Sequence, residues 1–309
     1  MGDKTGVVAV ISAFNPPEDL AGKVRRLLDQ VDHVVVVDDG SSEDVTQTLT
    51  AIRQTGGVVV EQGVNAGIAA ALNSGMALAL LEWDPEWILT LDQDSELDPE
   101  YVDCALRAYA AAVARGVTVG IVCAVSHNGQ PVMLQSKDSD FPEAFDPMQS
   151  GTLIHRDTLR RVGNFDESLF IDCVDSEYTA RIREDGFRAI VAPGSNISHT
   201  LGQSRPMKIA GWHVKVFGKK RFVYYHAPFR VYYVTRNGLE LYRRYALKQP
   251  LWVIRRMLLE VVFHSIRVLF GPHRIQHLYA FAFGIQDAAK RKLGKISERQ
   301  AELLRPATK

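Results

Sequence analysis

The sequence predicts an α/β protein, a doubly wound and mainly parallel sheet of Rossmann-like type that carries a helical, basic C-terminal extension. Two observations point there. Over the first 125 residues short runs rich in Val and Ile alternate with stretches of helical periodicity, and beyond Pro206 the composition turns basic and aromatic. At 309 residues and 46% hydrophobic content the chain can bury a sizeable core without staples, which excludes a disordered, collagenous or fibrous protein.

The elements follow in order. Residues 7–12, 34–37, 58–61, 87–91 and 117–125 are short, apolar and β-branched, as buried strands are. Between them Leu20, Val24, Leu27, Leu28 and Val31 recur at helical spacing, as do Val45, Leu49 and Ile52, and residues 67–82 are dense in Ala and Leu. Asp98-Pro99-Glu100 reads as a helix start, and another start falls near Ser176. The expected division is a domain over 1–245, with halves of about 1–125 and 126–245, followed by an amphipathic helical region over 246–309.

In sheets of this kind ligands bind beyond the carboxyl ends of the strands, so the residues just after each strand are the functional candidates. After the first strand comes Ala13-Phe14-Asn15-Pro16, after the second Asp38-Asp39-Gly40-Ser41-Ser42, and after residues 87–91 comes Asp92-Gln93-Asp94-Ser95. No GxGxxG follows the first strand and no GxxxxGK[ST] occurs, which argues against dinucleotide and P-loop chemistry. Two carboxylates one residue apart at a strand end can hold a hard divalent cation that also ligates a diphosphate; the same Asp94-Ser95 can equally open a turn or helix. A strand followed by DxD is also seen in haloacid dehalogenase phosphatases, but Glu96 stands where that motif has Thr or Val. Asp38 and Asp39 can accept from a pyrimidine imide or a ribose hydroxyl, or form a turn capped by Ser41 or Ser42. Asn65-Ala66-Gly67 precedes a helix whose N-terminus can face an anion.

Taken together, these segments, with Ser150-Gly151 and Asp172-Cys173-Val174-Asp175-Ser176-Glu177, stand in the order and spacing of the inverting family 2 glycosyltransferases of the GT-A fold. The chain resembles that family over roughly residues 7–245. Its runs VVVVDDGSS, NAGIAAALNSG, LTLDQDS, FDESLFIDCVDSEY and ISHTLGQS are most similar to bacterial rhamnosyltransferases that use dTDP-L-rhamnose. The resemblance implies a nucleotide-sugar site of Ala13, Phe14, Asn15, Asp38, Asp39, Asn65, Gly67, Asp92 and Gln93. Within it Asp39 and the backbone near Ala13 and Phe14 face the base, while Asn65 and Asp92 lie near ribose and diphosphate. It also implies Mg²⁺ or Mn²⁺ held by Asp94, with His199 at a position where relatives place a metal-binding His. Asp175 aligns with the catalytic base. The sequence departs from the commoner Glu-Asp pair by having Val174, which leaves Asp172 as a competing base. Ser150, Gly151, Arg205, Arg230, Arg236 and Asn237 are candidates for contacts to acceptor or diphosphate. Other nucleotide sugars, such as UDP-galactofuranose or a UDP-hexose, are the alternative donors. A membrane-bound interaction protein on a decayed transferase fold is the alternative class, which the retained Asp39, Asp92, Asp94 and Asp175 oppose.

The net charge of zero hides an asymmetry. Residues 1–205 carry 15 basic and 31 acidic groups, whereas residues 206–309 carry 21 and 5. Between 251 and 270, Arg256, Glu260, His264 and Arg267 form one polar stripe on an otherwise apolar helix, and a second helix is expected over 275–292. So wide an apolar arc beside basic clusters fits an anionic membrane surface, a homodimer interface, or the core of a small subdomain. Nucleic acid is disfavoured, because no recognised binding module accompanies the charge. No signal peptide or membrane-spanning run is visible, and Cys104, Cys123 and Cys173 have no metal or disulfide spacing. The expectation is a cytoplasmic enzyme, peripheral on the inner face of the cell membrane, whose partners are a dTDP-sugar donor and a glycan acceptor that is lipid-linked.

Overall fold

The computed structural model describes residues 6–136, 140–199, 204–209, 212–216 and 218–305. The chain forms two compact units, Met1–Phe170 with Val174–Thr200, and Ile171–Cys173 with Leu201–Lys309. The boundary near residue 200 precedes the division expected at 245, because Ser204–Pro206 pairs with Phe222–Tyr224, a strand that packs on a helix of the second unit.

The first unit runs β1 (Val7–Ala13), α1 (Leu20–Leu27), β2 (His33–Asp38), α2 (Thr46–Gln54), β3 (Val58–Glu61), α3 (Ile68–Glu82) and β4 (Trp87–Asp92). It continues through β5 (Glu96–Leu97), α4 (Tyr101–Ala114), β6 (Val119–Cys123), β7 (Ser126–His127), β8 (Gln130–Pro131), β9 (Leu134–Ser136), β10 (Glu143–Ala144) and β11 (Thr152–His155). It ends with α5 (Arg156–Val162), α6 (Val174–Glu184), β12 (Arg188–Val191) and β13 (Asn196–Ser198). Nine strands make one sheet in the order β3-β2-β1-β4-β11-β6-β12-β10-β9. Every ladder from β3 to β4 is parallel, as expected, and β11 then enters antiparallel to both β4 and β6.

Burial on both faces explains the continuous apolar runs. Val7, Ala9 and Ile11 of β1 pack with Leu20, Val24, Leu49, Ile52 and Tyr101 of α1, α2 and α4, while Val10 and Val37 meet α3 at Gly75, where an added Cβ would fall 2.4 Å from Val10. Because β1 lies between β2 and β4, the chain leaves β1 to one side and returns to its other side. The crevice at the carboxyl ends of β1 and β4 is thus a topological switch point.

The second unit carries short hairpins, Ser204–Pro206 with Phe222–Tyr224 and Lys208–Ile209 with Trp212–His213 among them, then four helices, α7 (Pro228–Tyr245), α8 (Pro250–Phe270), α9 (Arg274–Ala289) and α10 (Glu298–Leu304). Pro at the first turn of α7 and of α8 fits those helix starts. Among the described residues no helix is long and apolar enough to cross a membrane.

Candidate active site

The residues that follow β1, β2 and β4 are stitched to one another at the switch point. The Phe14 backbone N–H donates to Gln93 Oε1 at 2.8 Å, and Gln93 Nε2 donates back to the Phe14 carbonyl at 3.2 Å. Asn15, at φ +48°, donates its backbone N–H to Ser41 Oγ at 2.7 Å, and its side-chain oxygen accepts from the Ser42 and Glu43 N–H groups. Asp38 in turn accepts from the Ser41 hydroxyl and N–H. The sequence Asp-Asp-Gly-Ser-Ser therefore folds as a hydrogen-bonded turn whose serines fasten one loop to the next.

Asp39 is buried and turns toward α3. Its Oδ1 accepts from Ala66 N–H at 2.7 Å and its Oδ2 from Gly67 N–H at 2.9 Å, which satisfies the N–H of the helix N-cap and that of the residue before it. Gly67 must be glycine: it sits at φ +98°, and a Cβ there would lie 2.4 Å from the Phe170 carbonyl oxygen, which already accepts from Ile68 N–H. Asp39 thus helps hold the Asn65-Ala66-Gly67 turn beside the Asp38-Asp39 loop, and Asn65 lies in that turn.

At the end of β4, Asp92 N–H donates to Ser150 Oγ at 3.0 Å, Asp92 Oδ1 accepts from Gln149 Nε2 at 2.5 Å, and Ser95 and Ser150 share a hydrogen bond of 2.7 Å. Gly151 N–H donates to the Thr90 carbonyl and the Gly151 carbonyl accepts from Tyr101 OH; a Cβ at Gly151 would fall 2.7 Å from that hydroxyl. Ser150 and Gly151 therefore brace the β4 end, and Gln149 emerges as a residue of the site whose only sequence signal was its place in the Gln149-Ser150-Gly151-Thr152 run.

Asp94 is half-buried, and among the described residues its carboxylate has no hydrogen-bond or ion-pair partner. The antiparallel ladder Leu97↔Ile197, Glu96↔Ser198 runs toward Asp94 on one strand and His199 on the other. His199 Nδ1 is buried without a hydrogen-bond partner, and its ring lies edge-on to His127 at 5.8 Å. Burial, and next His199, push His127 down to about 4, so it is neutral at pH 7. Residues 200–203 of the ISHTLGQS run lie outside the described residues. Among the described residues no three His, Cys, Asp or Glu side chains form a preassembled cage. A free carboxylate with an orphaned imidazole suits a divalent ion whose other ligands come from a diphosphate and water.

Asp175 is the second residue of α6, which starts at Val174, two residues before the expected start. Its Oδ1 accepts from Ser176 N–H at 2.8 Å, and it lines a small cleft with Gln149, Met148, Phe165 and Tyr178. Gln149 is shared between this cleft and Asp92, which ties Asp175 to the strand-end cluster of the same unit.

The second unit places the remaining candidates otherwise. Asp172, at φ +61°, is gripped by Arg230 through Nη2 at 2.5 Å and Nε at 3.2 Å. Asn237 Nδ2 donates to the Ile171 and Asp172 carbonyls, both at 2.9 Å. Arg236 is fully buried, donates to Asn237 Oδ1 and the Gly294 carbonyl, and lies over the Tyr232 and Tyr233 rings. Arg236, Arg230 and Asn237 are thus committed to the frame of this unit, and of the basic candidates only Arg205 is exposed. Nothing in the sequence marked these three as structural, because an Arg that packs reads the same as one that binds.

Comparison with known proteins bears on the fold and the family. The model of glycosyl transferase family 2 matches residues 8–163. The dTDP-rhamnosyl transferase RfbF of Shigella flexneri is 26% identical over 287 residues, which span 89% of this chain and 92% of that protein. Among solved structures, S. aureus TarS 1-349 in complex with UDP-GlcNAc is similar at a TM-score of 0.58 and 16% identity, covering 96% of this chain and 83% of TarS 1-349. The mannosyltransferase PcManGT of Pyrobaculum calidifontis, in complex with GDP-Man and Mn²⁺, is similar at 0.54 and 18%, covering 96% and 78%. The fold is the GT-A fold, and with more than half of its length matched, from β1 through α5, the chain belongs to glycosyl transferase family 2.

Proposed function

We propose that this glycosyltransferase transfers L-rhamnose from dTDP-L-rhamnose, with inversion at the anomeric carbon, to a lipid-linked bacterial cell-surface glycan at the inner face of the cell membrane. The observation that carries the reading is the switch-point crevice, where Asp39, the Phe14–Gln93 link, Asp92 and the unpartnered Asp94 meet at the strand ends. The choice of donor is supported by the likeness to RfbF.

The chemistry assigned to each residue follows from its setting. The loop edges at Phe14 and Asp39 would flank the base, and Asn65, in the turn that Asp39 holds, and Asp92 would lie near the ribose and diphosphate. Asp94 and His199 would hold Mg²⁺ or Mn²⁺, which when bound offsets charge on the leaving diphosphate. Asp175 accepts the proton of the acceptor hydroxyl as that oxygen bonds to the anomeric carbon, and the electron pair of the breaking C–O bond leaves with dTDP. Asp175 is preferred over Asp172 because the oxygens of Asp172 are already engaged by Arg230.

The test is thermal stability of the purified protein with Mg²⁺ or Mn²⁺ against dTDP-rhamnose, UDP-galactofuranose and UDP-hexoses. A ligand of the native state at 100 times its Kd adds about 2.7 kcal/mol. A metal-dependent rise selective for dTDP-rhamnose is expected. A rise with a UDP-sugar alone would replace the donor, and no rise with any nucleotide sugar would make an interaction protein on a transferase fold the better account.

A further inference from the structure

Helix α8 is amphipathic in the inverted sense. Its polar stripe points into the second unit: Arg256 is buried and pairs with Glu260 at 3.0 Å, Glu260 accepts from Tyr242 OH at 2.5 Å, and Arg267 meets His226 Nε2 at 2.9 Å. Its solvent side is apolar instead. Leu251, Ile254, Leu258, Val261, Val262 and Leu269 recur at helical spacing and are between 49% and 79% exposed. On α9 the exposed stripe Ile275, Leu278, Tyr279 and Ile285 is bounded by the exposed cations Arg274 and Lys290. A groove of about 610 Å³ lies between the two faces; its lining is mainly apolar, with Met257, Val261, Leu269, Phe281 and Ile285, and Glu260 and His264 of the polar stripe also reach it.

We infer that this face of α8 and α9 lies on an anionic lipid bilayer, with hydrocarbon chains entering the groove. An exposed apolar surface of this extent marks an interaction site. Neither helix can cross a membrane, so the mode is interfacial. Charge selects the occupant. Residues 206–309 carry 21 basic and 5 acidic groups, so a second copy on a two-fold axis would bring like charges together, whereas anionic headgroups neutralise them. Exposed Lys290, Arg291, Lys292 and Lys295 follow the α9 stripe directly. In the hairpin of the same unit, Trp212 and Ile209 stand paired and exposed beside Lys208, a composition suited to a bilayer interface.

The inference is independent of the sugar donor. The test is flotation of the full chain with vesicles of phosphatidylcholine alone or with added phosphatidylglycerol. Strong binding to the anionic vesicles that weakens with salt is expected, with Leu258→Asp/Val262→Asp lowering the partition at least tenfold and Lys290→Glu/Lys292→Glu at least threefold. Both pairs are exposed, and unchanged circular dichroism and melting in the absence of lipid check that the fold is intact. Equal flotation of the Leu258/Val262 variant, equal binding to neutral vesicles, or a wild-type dimer that this variant converts to monomer would each overturn the inference. Flotation without any nucleotide-sugar effect on melting would instead sink the donor reading and leave this one standing.

Discussion

Two carboxylates three residues apart, Asp172 and Asp175, differ in what surrounds them. Asp172 sits in the left-handed region and has Arg230 on both oxygens, whereas Asp175 lies at the start of α6 in a cleft that also holds Gln149. Asp175→Asn keeps the size and the Ser176 contact but removes the proton acceptor. It is expected to lower kcat by at least 10²-fold while donor affinity, read by calorimetry, stays within a few fold. Near-normal turnover would move the base to Asp172. Asp94→Ala removes a side chain that has no protein partner among the described residues, so the fold should keep its melting temperature while the metal-dependent part of donor binding is lost. A large drop in melting temperature without ligand would show that Asp94 is structural.

At the scale of elements, the segment before α6 is strained and held from α7 and α8. Phe170, Asp172 and Cys173 all have positive φ, and within the second unit Asn237 satisfies two carbonyls of this segment while Arg256 Nη2 reaches Cys173 Sγ at 3.2 Å. Asn237→Ala leaves two carbonyls and the Arg236 guanidinium short of a partner and is expected to cost about 1–3 kcal/mol in urea unfolding. A loss within error would mean that the strain is borne elsewhere. The elements also show what a sequence reveals. Strands β1, β2 and β4 were legible because both faces are buried and the apolar runs are unbroken, and the half-buried edge strand β3 because its Val58-Val59-Val60 run is β-branched. The antiparallel entry of β11 was not, because a run such as Thr-Leu-Ile-His carries no direction. For α8 the polar stripe was legible but its orientation was not, since periodicity gives the angle between faces and never says which one meets the core. The strand-end residues were found because topology fixes where ligands bind, while His127, the neighbour of His199, came from a distant strand that no spacing could reveal.

The whole molecule sets an acidic transferase unit in one chain with a basic helical one, and the second carries a set of imidazoles, His277 buried and His226 and His264 half-buried. Burial first, then Arg267, pushes His226 down to about 4; Arg230 and His264 act the same way and Asp172 opposes them. Burial likewise takes His264 to about 4, followed by Arg267 and His277, and lowers His277 against the hydrogen bond to the His226 carbonyl, with His273 and Arg267 nearby. In the unfolded chain these rings take protons near pH 6.5; in the folded unit His277 does so only at lower pH, and His226 and His264 near 4. The unfolded state therefore binds more protons as the pH falls, so their contribution to stability is complete above about pH 7 and is lost between about 6.5 and 4. Glu240, held below the usual carboxylate range by hydrogen bonding from Arg243 ahead of Arg244, adds a loss of the same sign below about pH 4.5. The melting temperature of the helical unit should fall by roughly 5 °C or more from pH 7.5 to 5. His264→Phe, which removes a ring whose Nδ1 is buried without a partner, should flatten that slope. Melting that is level across this range, or a slope unchanged in the variant, would mean that these rings are reached by water in the folded state. Because the same inward stripe of α8 supplies His264 and Arg267, acidification should also loosen the helix whose outer face is assigned to the bilayer, and flotation at pH 5 against 7.5 reads that coupling directly.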